Sequence, residues 1–312
     1  MKELHDGLEL SEIASGLDLS LDELNAEIQP LLAASLLFES NGQFKPSFLI
    51  ADESETQLVY THAASFSKKL AITVEENLDD MRTSFNYLDL SKEYNFEDLE
   101  FLLIGGRIID IKLLEKLSVG SVFMPPAPSR PSPDRPDARY YFWMIEGEKK
   151  HLGEYGLDDY DLPWSSWHYF SFGQNLIDGQ PNPDRGEMEK KYSELIESGD
   201  IESPETLASN LKIPVVSVSD SMKWNATSEE QAENLVIHFK ENEKSIKELH
   251  RQLKSGQFAP YSLGEFLCWY AHIAYSVTID ILESKGILSV PPKRFQSAIW
   301  YNKQEQEGLL VG

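Results

Sequence analysis

The chain has a single cysteine, Cys268, among 312 residues, so no internal disulfide can form and stability must come from packing. It has no long apolar run. No window holds 18 uncharged apolar residues, which argues against a membrane-spanning helix. The opening MKELHDGLEL carries acids where a secretory signal would be apolar, and a cytoplasmic location is the expectation. Positive charge is scarce. Against 52 Asp and Glu stand 28 Lys and Arg, a net charge of −24 that repels nucleic acid unless cations are locally concentrated. Catalytic signatures are missing too. There is no phosphate-binding P-loop, no Gly-x-Ser-x-Gly elbow and no fixed-period repeat. Leu103-Ile104-Gly105-Gly106 lacks the spaced third glycine of a dinucleotide fingerprint.

What is present supports folded domains. A hydrophobic content of 41% with 11% aromatics is enough for well-built cores, and the length suits two or three domains. Residues 10–50 predict a short helix from Ser11 to about Gly16, a turn through Leu17 and Asp18, and a second helix opened by Ser20. Glu23 reaches back to Ser20 there, forming a capping box. Ala33 to Leu37 then leads to an Asn41-Gly42 hairpin turn. In this order the stretch resembles the winged-helix domain of bacterial regulators. Only nine residues precede Leu10, so the first helix of that domain is expected to be absent or very short. The resemblance implies DNA contact or, as in small-molecule O-methyltransferases, a packing and dimerisation role. Leu21 to Gln29 carries Asp22, Glu23 and Glu27 and no basic residue, which disfavours DNA.

Farther along, Glu55 to Tyr87 reads as helix, with Leu58, Ala63, Phe66, Leu70, Val74, Leu78 and Met81 on one stripe. Leu99 to Ile104 fits a buried strand or a buried helix; a break at Gly105-Gly106 and an amphipathic helix from Ile108 to Leu117 are expected after it. A loop with six prolines between 125 and 136 precedes a strand over Tyr140 to Ile145. Ser203 and Pro204 start a helix through Leu211. Ser228 to Lys254 predicts one long helix with a seam of Leu235, Phe239, Asn242, Ile246, Leu249 and Leu253. Leu263 to Ser284 predicts another, ended by Gly286. The segment GILSVPPKRFQSAIWY after it suggests a hairpin or second wing.

Several residue sets carry candidate chemistry. Residues 107–139 hold six basic and four acidic residues, a local reversal of the charge balance. Arg107, Arg130, Arg135 and Arg139 are the arginines suited to clamp an anion under the proline loop, unless Asp110, Asp134 and Asp137 pair with them. Trp143, Trp164, Trp167 and His168 form an aromatic set that would stack a planar ligand or build a core. Glu146, His151, Glu154, Asp158, Asp161 and His168 lie close in sequence, but none shows metal-ligand spacing, and no metal is expected. Cys268 with His272 one helical turn on could be nucleophile and base, yet its apolar setting favours an inert thiol.

The sequence therefore predicts a mainly helical α+β protein. A winged-helix domain spans 1–54, a central mixed domain with the proline loop and aromatic cluster spans 55–190, and a helical domain spans 191–312. The expected function is that of a bacterial winged-helix regulator-like protein. It would bind a protein partner or a small anionic or planar ligand, with no cofactor and no catalysis assigned. A homodimer through Leu235, Phe239, Ile246, Leu249 and Leu253 is a further expectation. Two alternatives stand beside it. One is an enzyme with its site among Arg107, Asp110, Arg130, Arg139 and His168. The other is a DNA-binding repressor using Arg251, Lys254, Lys293 and Arg294.

Overall fold

In the computed structural model, several helices start where side chains can satisfy their first amides. The structure describes all residues except 119–122, 134, 148–154, 164–165, 175, 178–179, 182–189, 192, 199–202, 254–261 and 302–312. Helix α1 (Lys2–His5) is short, and α2 (Leu10–Gly16) leads through Asp18, at φ 57°, to α3 (Leu21–Ala33). Ser20 Oγ accepts from Glu23 N at 3.2 Å while the Glu23 carboxylate accepts from Ser20 N at 2.8 Å. Asn41 and Gly42 both adopt positive φ and join β1 (Leu37–Ser40) to β2 (Gln43–Pro46). Ile13, Ala14, Leu24, Ile28 and Leu37 make a small core of their own under this three-helix and hairpin unit.

The next strand belongs elsewhere. β3 (Leu49–Ala51) pairs in parallel with β4 (Trp143–Ile145), so the chain enters the main body before residue 55. Asp52 caps α4 (Glu53–Glu76), which is followed by α5 (Leu78–Phe85). The charged cap Asp220 accepts from the amides of Asp89 and Leu90 at 2.7 and 3.0 Å and fixes the turn at 89–92. Then come α6 (Phe96–Glu100), a π-helix (Phe101–Lys112) and α7 (Leu113–Ser118), continuous with one another. The expected break at Gly105-Gly106 is not there. The glycines instead let the sheet approach: a Cβ on Gly105 would lie 2.5 Å from a Phe172 ring carbon.

The sheet is assembled from distant pieces. β5 (Tyr155–Asp161) and β6 (Trp167–Gln174) pair antiparallel, and β7 (Leu176–Ile177) and β8 (Gln180–Pro181) form a short ladder. Ser203 caps α8 (Pro204–Leu211), and β9 (Val215–Val216) follows. The last strand, β10 (Ser297–Tyr301), lies between β6 and β9. This corrects the expected C-terminal wing, because residues 297–301 form a central strand of a four-stranded sheet. Side chains alternate across it. Phe170 and Phe172 face the main core; Tyr169 and Ile299 pack with Leu207, Ala208 and Leu211 of α8 on the other face.

Two long helices complete the body. α9 (Val218–Gln252) starts ten residues earlier than the seam suggested, capped by Ser217, and α10 (Ser262–Ser284) packs along α4, with Ser67 Oγ donating to Ala274 O at 2.8 Å. All five apolar seam residues of α9 are buried inside the chain. Phe239 meets Phe66 at 4.7 Å and Phe123 at 5.3 Å between ring centroids. The surface on which a homodimer was expected is covered, in this chain, by its own side chains. One core runs from Leu49 to Trp300, so among the described residues no separate core divides 55–190 from 191–312. The architecture is mainly helical α+β, and among the described residues no helix is long and apolar enough to cross a membrane.

Candidate functional site

The four arginines singled out from the sequence do not converge. Arg130 and Arg107 are both buried, in different places. Arg130 is fully engaged. Its Nη2 lies 2.6 Å from Glu265 Oε1, and both side chains are 0% exposed. Its Nη1 donates to Ser35 O at 3.1 Å and Ser47 Oγ at 3.2 Å, and its Nε donates to Tyr140 O at 3.2 Å. The second Glu265 oxygen accepts from Phe142 N at 2.6 Å. Burial nevertheless pushes the Glu265 carboxyl up to about 7. Arg139 is exposed and donates to Ala127 O, and Arg135 is exposed and exchanges backbone bonds with Ser132. The proline loop is thus tied down by its arginines, with Tyr141 Oη also donating to Pro125 O.

The aromatic set does not form one pocket either. Trp143 packs on His272 of α10, with 5.4 Å between ring centroids. Trp167, at the start of the inner strand β6, meets Tyr301 at 5.4 Å. Trp164 lies outside the described residues. Of the metal candidates, Asp161 does come to His168, but Glu146 pairs with Lys2 at 3.4 Å and Asp158 lies near Ser171; His151 and Glu154 are outside the described residues. Among the described residues no cluster of three metal-ligating side chains is arranged to hold an ion. Cys268 Sγ sits 3.7 Å from His272 Nδ1, but that nitrogen is 2.8 Å from Cys268 O and donates there. Burial raises the thiol and lowers the imidazole, which keeps both neutral and inert.

Arg107 is the centre that remains. It leaves the π-helix toward the sheet and α9, and it is 3% exposed. Its Nη2 donates to Asn225 Oδ1 at 2.9 Å, and its guanidinium lies 4.5 Å from the Trp300 ring centroid and 5.4 Å from that of Phe170. Burial lowers its pKa to about 10, against the pull of Asp159 and Glu115. On the same sheet face His168 Nδ1 is 3.0 Å from Asp159 and 3.3 Å from Asp161. The Asp159 hydrogen bond raises the His168 pKa, while burial and the Arg107 charge oppose that rise. Asp110, one turn along the π-helix, is also buried.

Sequence reasoning found Arg107, Asp110 and His168 but missed Asn225, Trp300, Asp159 and Glu265. No local pattern marks Asn225 or Glu265, whereas Asp159 sat between two acids already noted. Family models, curated proteins and solved structures were all compared with the chain, and none matches.

Proposed function

We propose that the chain is a regulator-like binding protein whose N-terminal winged-helix-like unit docks a protein rather than DNA. The observation that carries this is the outer surface of α3. Leu21, Asp22, Glu23, Asn25, Glu27 and Gln29 are all exposed, and no Lys or Arg stands among them. A helix lying on DNA would meet a phosphate at nearly every turn, and these carboxylates would be repelled by it. Leu17 and Leu21 are 58% and 48% exposed beside those acids, a mixture suited to a partner surface that is apolar and basic. A cytoplasmic setting fits the single cysteine.

A photo-crosslinking residue placed at Asn25 tests the reading. Crosslinks to a discrete protein, lost in Asp22→Lys/Glu27→Lys, are expected, with no DNA mobility shift tighter than non-specific binding at physiological salt. Specific DNA binding abolished by Asn25→Ala or Gln29→Ala would overturn it.

A second reading, an enzyme, is favoured by one observation: His168 held between two aspartates on the sheet face that Arg107 approaches. Its mark would be a turnover that follows His168 protonation and is lost in His168→Asn.

A further inference from the structure

We propose that Arg107 is the anchor of a buried site for a small monocarboxylate ligand, formed where the π-helix, α9 and β10 meet. The case begins with a comparison inside the molecule. Arg130 and Arg107 are both withdrawn from water. Arg130 is given a carboxylate at 2.6 Å and further acceptors on Ser35, Ser47 and Tyr140. Arg107 is given one amide oxygen, that of Asn225. Its Nε is buried with no hydrogen-bond partner, and among the described residues it makes no ion pair. A guanidinium taken out of water without an anion is costly, and stacking on Trp300 and Phe170 offsets only part of that cost.

A second orphan lies on the same stripe of α9. Ser228 is fully buried, three residues beyond Asn225, and its hydroxyl also lacks a partner. The neighbouring hydroxyl on that stripe, Ser221, is already taken by Trp300 Nε1 at 3.0 Å. A carboxylate bound at the guanidinium edge would supply it with two oxygens, and Ser228, one helical turn from the Asn225 that already holds Arg107, offers the nearest unpartnered hydroxyl on α9. The charge nearby selects for a single negative charge. Asp159 and Glu115 already act on Arg107, so a dianion such as phosphate meets more repulsion than a monocarboxylate. The unusual winding at Phe101–Lys112 fits this placement, since π turns concentrate at functional sites. This site is separate from the N-terminal docking surface and does not depend on it.

The test uses the full chain with acetate, pyruvate and inorganic phosphate as probes, each matched in ionic strength with chloride. A saturable rise in melting temperature with acetate or pyruvate is expected, with none from phosphate beyond the chloride control. The Nε–H resonance of Arg107 should shift along the same curve. Ser228→Ala should weaken the apparent affinity several-fold. Arg107→Met should abolish the effect and, because it removes a buried cation that lacks a direct ion pair, melt at or above the unliganded wild type. Equal responses in wild type and Arg107→Met would overturn the site. So would the absence of any saturable response in wild type, which would mean that water alone meets the orphaned donors. A saturable phosphate response at Arg107 would overturn the monocarboxylate assignment. Should Arg107→Met fail to fold, the Ser228→Ala affinity and the Arg107 resonance decide.

Discussion

Arg130 of the proline loop and Glu265 of α10 form a 2.6 Å ion pair from which water is shut out on both sides. The same guanidinium holds Ser35 and Ser47, which flank the N-terminal hairpin, and the same carboxylate holds the amide of Phe142 just before β4. One pair thus joins the N-terminal unit, the loop, the β3–β4 ladder and α10. Removing one partner leaves the other without its counterion, so that it must be buried charged or be neutralised at a cost. Arg130→Met should therefore destabilise the fold by about 3–5 kcal/mol, read as a lowered urea midpoint. The double variant Arg130→Met/Glu265→Leu should recover much of the loss. Single and double variants with equal loss would show that the bonds to Ser35 and Ser47, not the charge pair, hold the junction.

Gly105 and Gly106 predict a second effect. A Cβ at Gly105 would lie 2.5 Å from Phe172 Cε1, and one at Gly106 would lie 2.9 Å from Phe172 Cβ and 3.0 Å from Phe170 Cζ. The Gly105 clash falls on a ring that can rotate, whereas the Gly106 clash falls at the root of the side chain, so Gly106→Ala should cost more. Each overpacking change is expected to cost about 1–3 kcal/mol. Pairing Gly105→Ala with Phe172→Leu should relieve it. Thermal melts of the four proteins check this, and a stabilised Gly105→Ala would mean the sheet yields easily to the helix.

These glycines also show where sequence reading stops. Ser20 with Glu23, Asn41-Gly42, Ser203-Pro204 and Gly286 could be read because cap and turn chemistry is decided within a few residues. The α9 seam could be read because helical periodicity is local too, although the residues that fill it, Phe66 and Phe123, come from far away. The Gly105-Gly106 pair looked like a helix break because its reason is Phe172, some 66 residues on in a strand whose neighbour β10 is more distant still. The same holds for the arginines. Sequence placed acids near all of them, yet the acid that neutralises Arg130 is 135 residues away, and the groups around Arg107 come from β6, α9 and β10.

Glu100 predicts a pH dependence. It is buried, accepts from the backbone of Ser289, and is raised to about 7, first by burial and next by the charge of Glu97, while Arg82 opposes the rise. The folded chain then holds a proton between about pH 4.5 and 7 that the unfolded chain releases. Proton binding to the folded state alone means that this contribution to stability is full below the unfolded value and is lost as pH rises through about 7. Glu100→Gln should flatten the fall in urea midpoint between pH 5 and 7.5 without lowering the value at pH 5. Glu265, also at about 7, contributes a slope of the same sign, so the Glu100 variant should retain part of it. An unchanged slope in Glu100→Gln would assign the whole effect elsewhere.

The covered seam of α9 gives the last prediction. Ile246 is 0% exposed, and Asn242 beside it is bonded to Lys69 of α4 at 3.3 Å and to His238 O within the helix. The seam is therefore an interior surface, and a charge placed in it has neither a counterion nor access to water. Ile246→Asp should lower stability by about 3 kcal/mol or more, and Ile246→Val by about 1 kcal/mol. Neither should change the mass measured by light scattering under conditions where the chain stays folded. An exposed apolar position on another turn of the helix, Ile237, provides the control, since Ile237→Asp should leave the melting temperature nearly unchanged. If Ile246→Asp instead halved the mass while the chain stayed folded, α9 would be shared between two copies. The packing of Phe239 on Phe66 would then have to be exchanged between them.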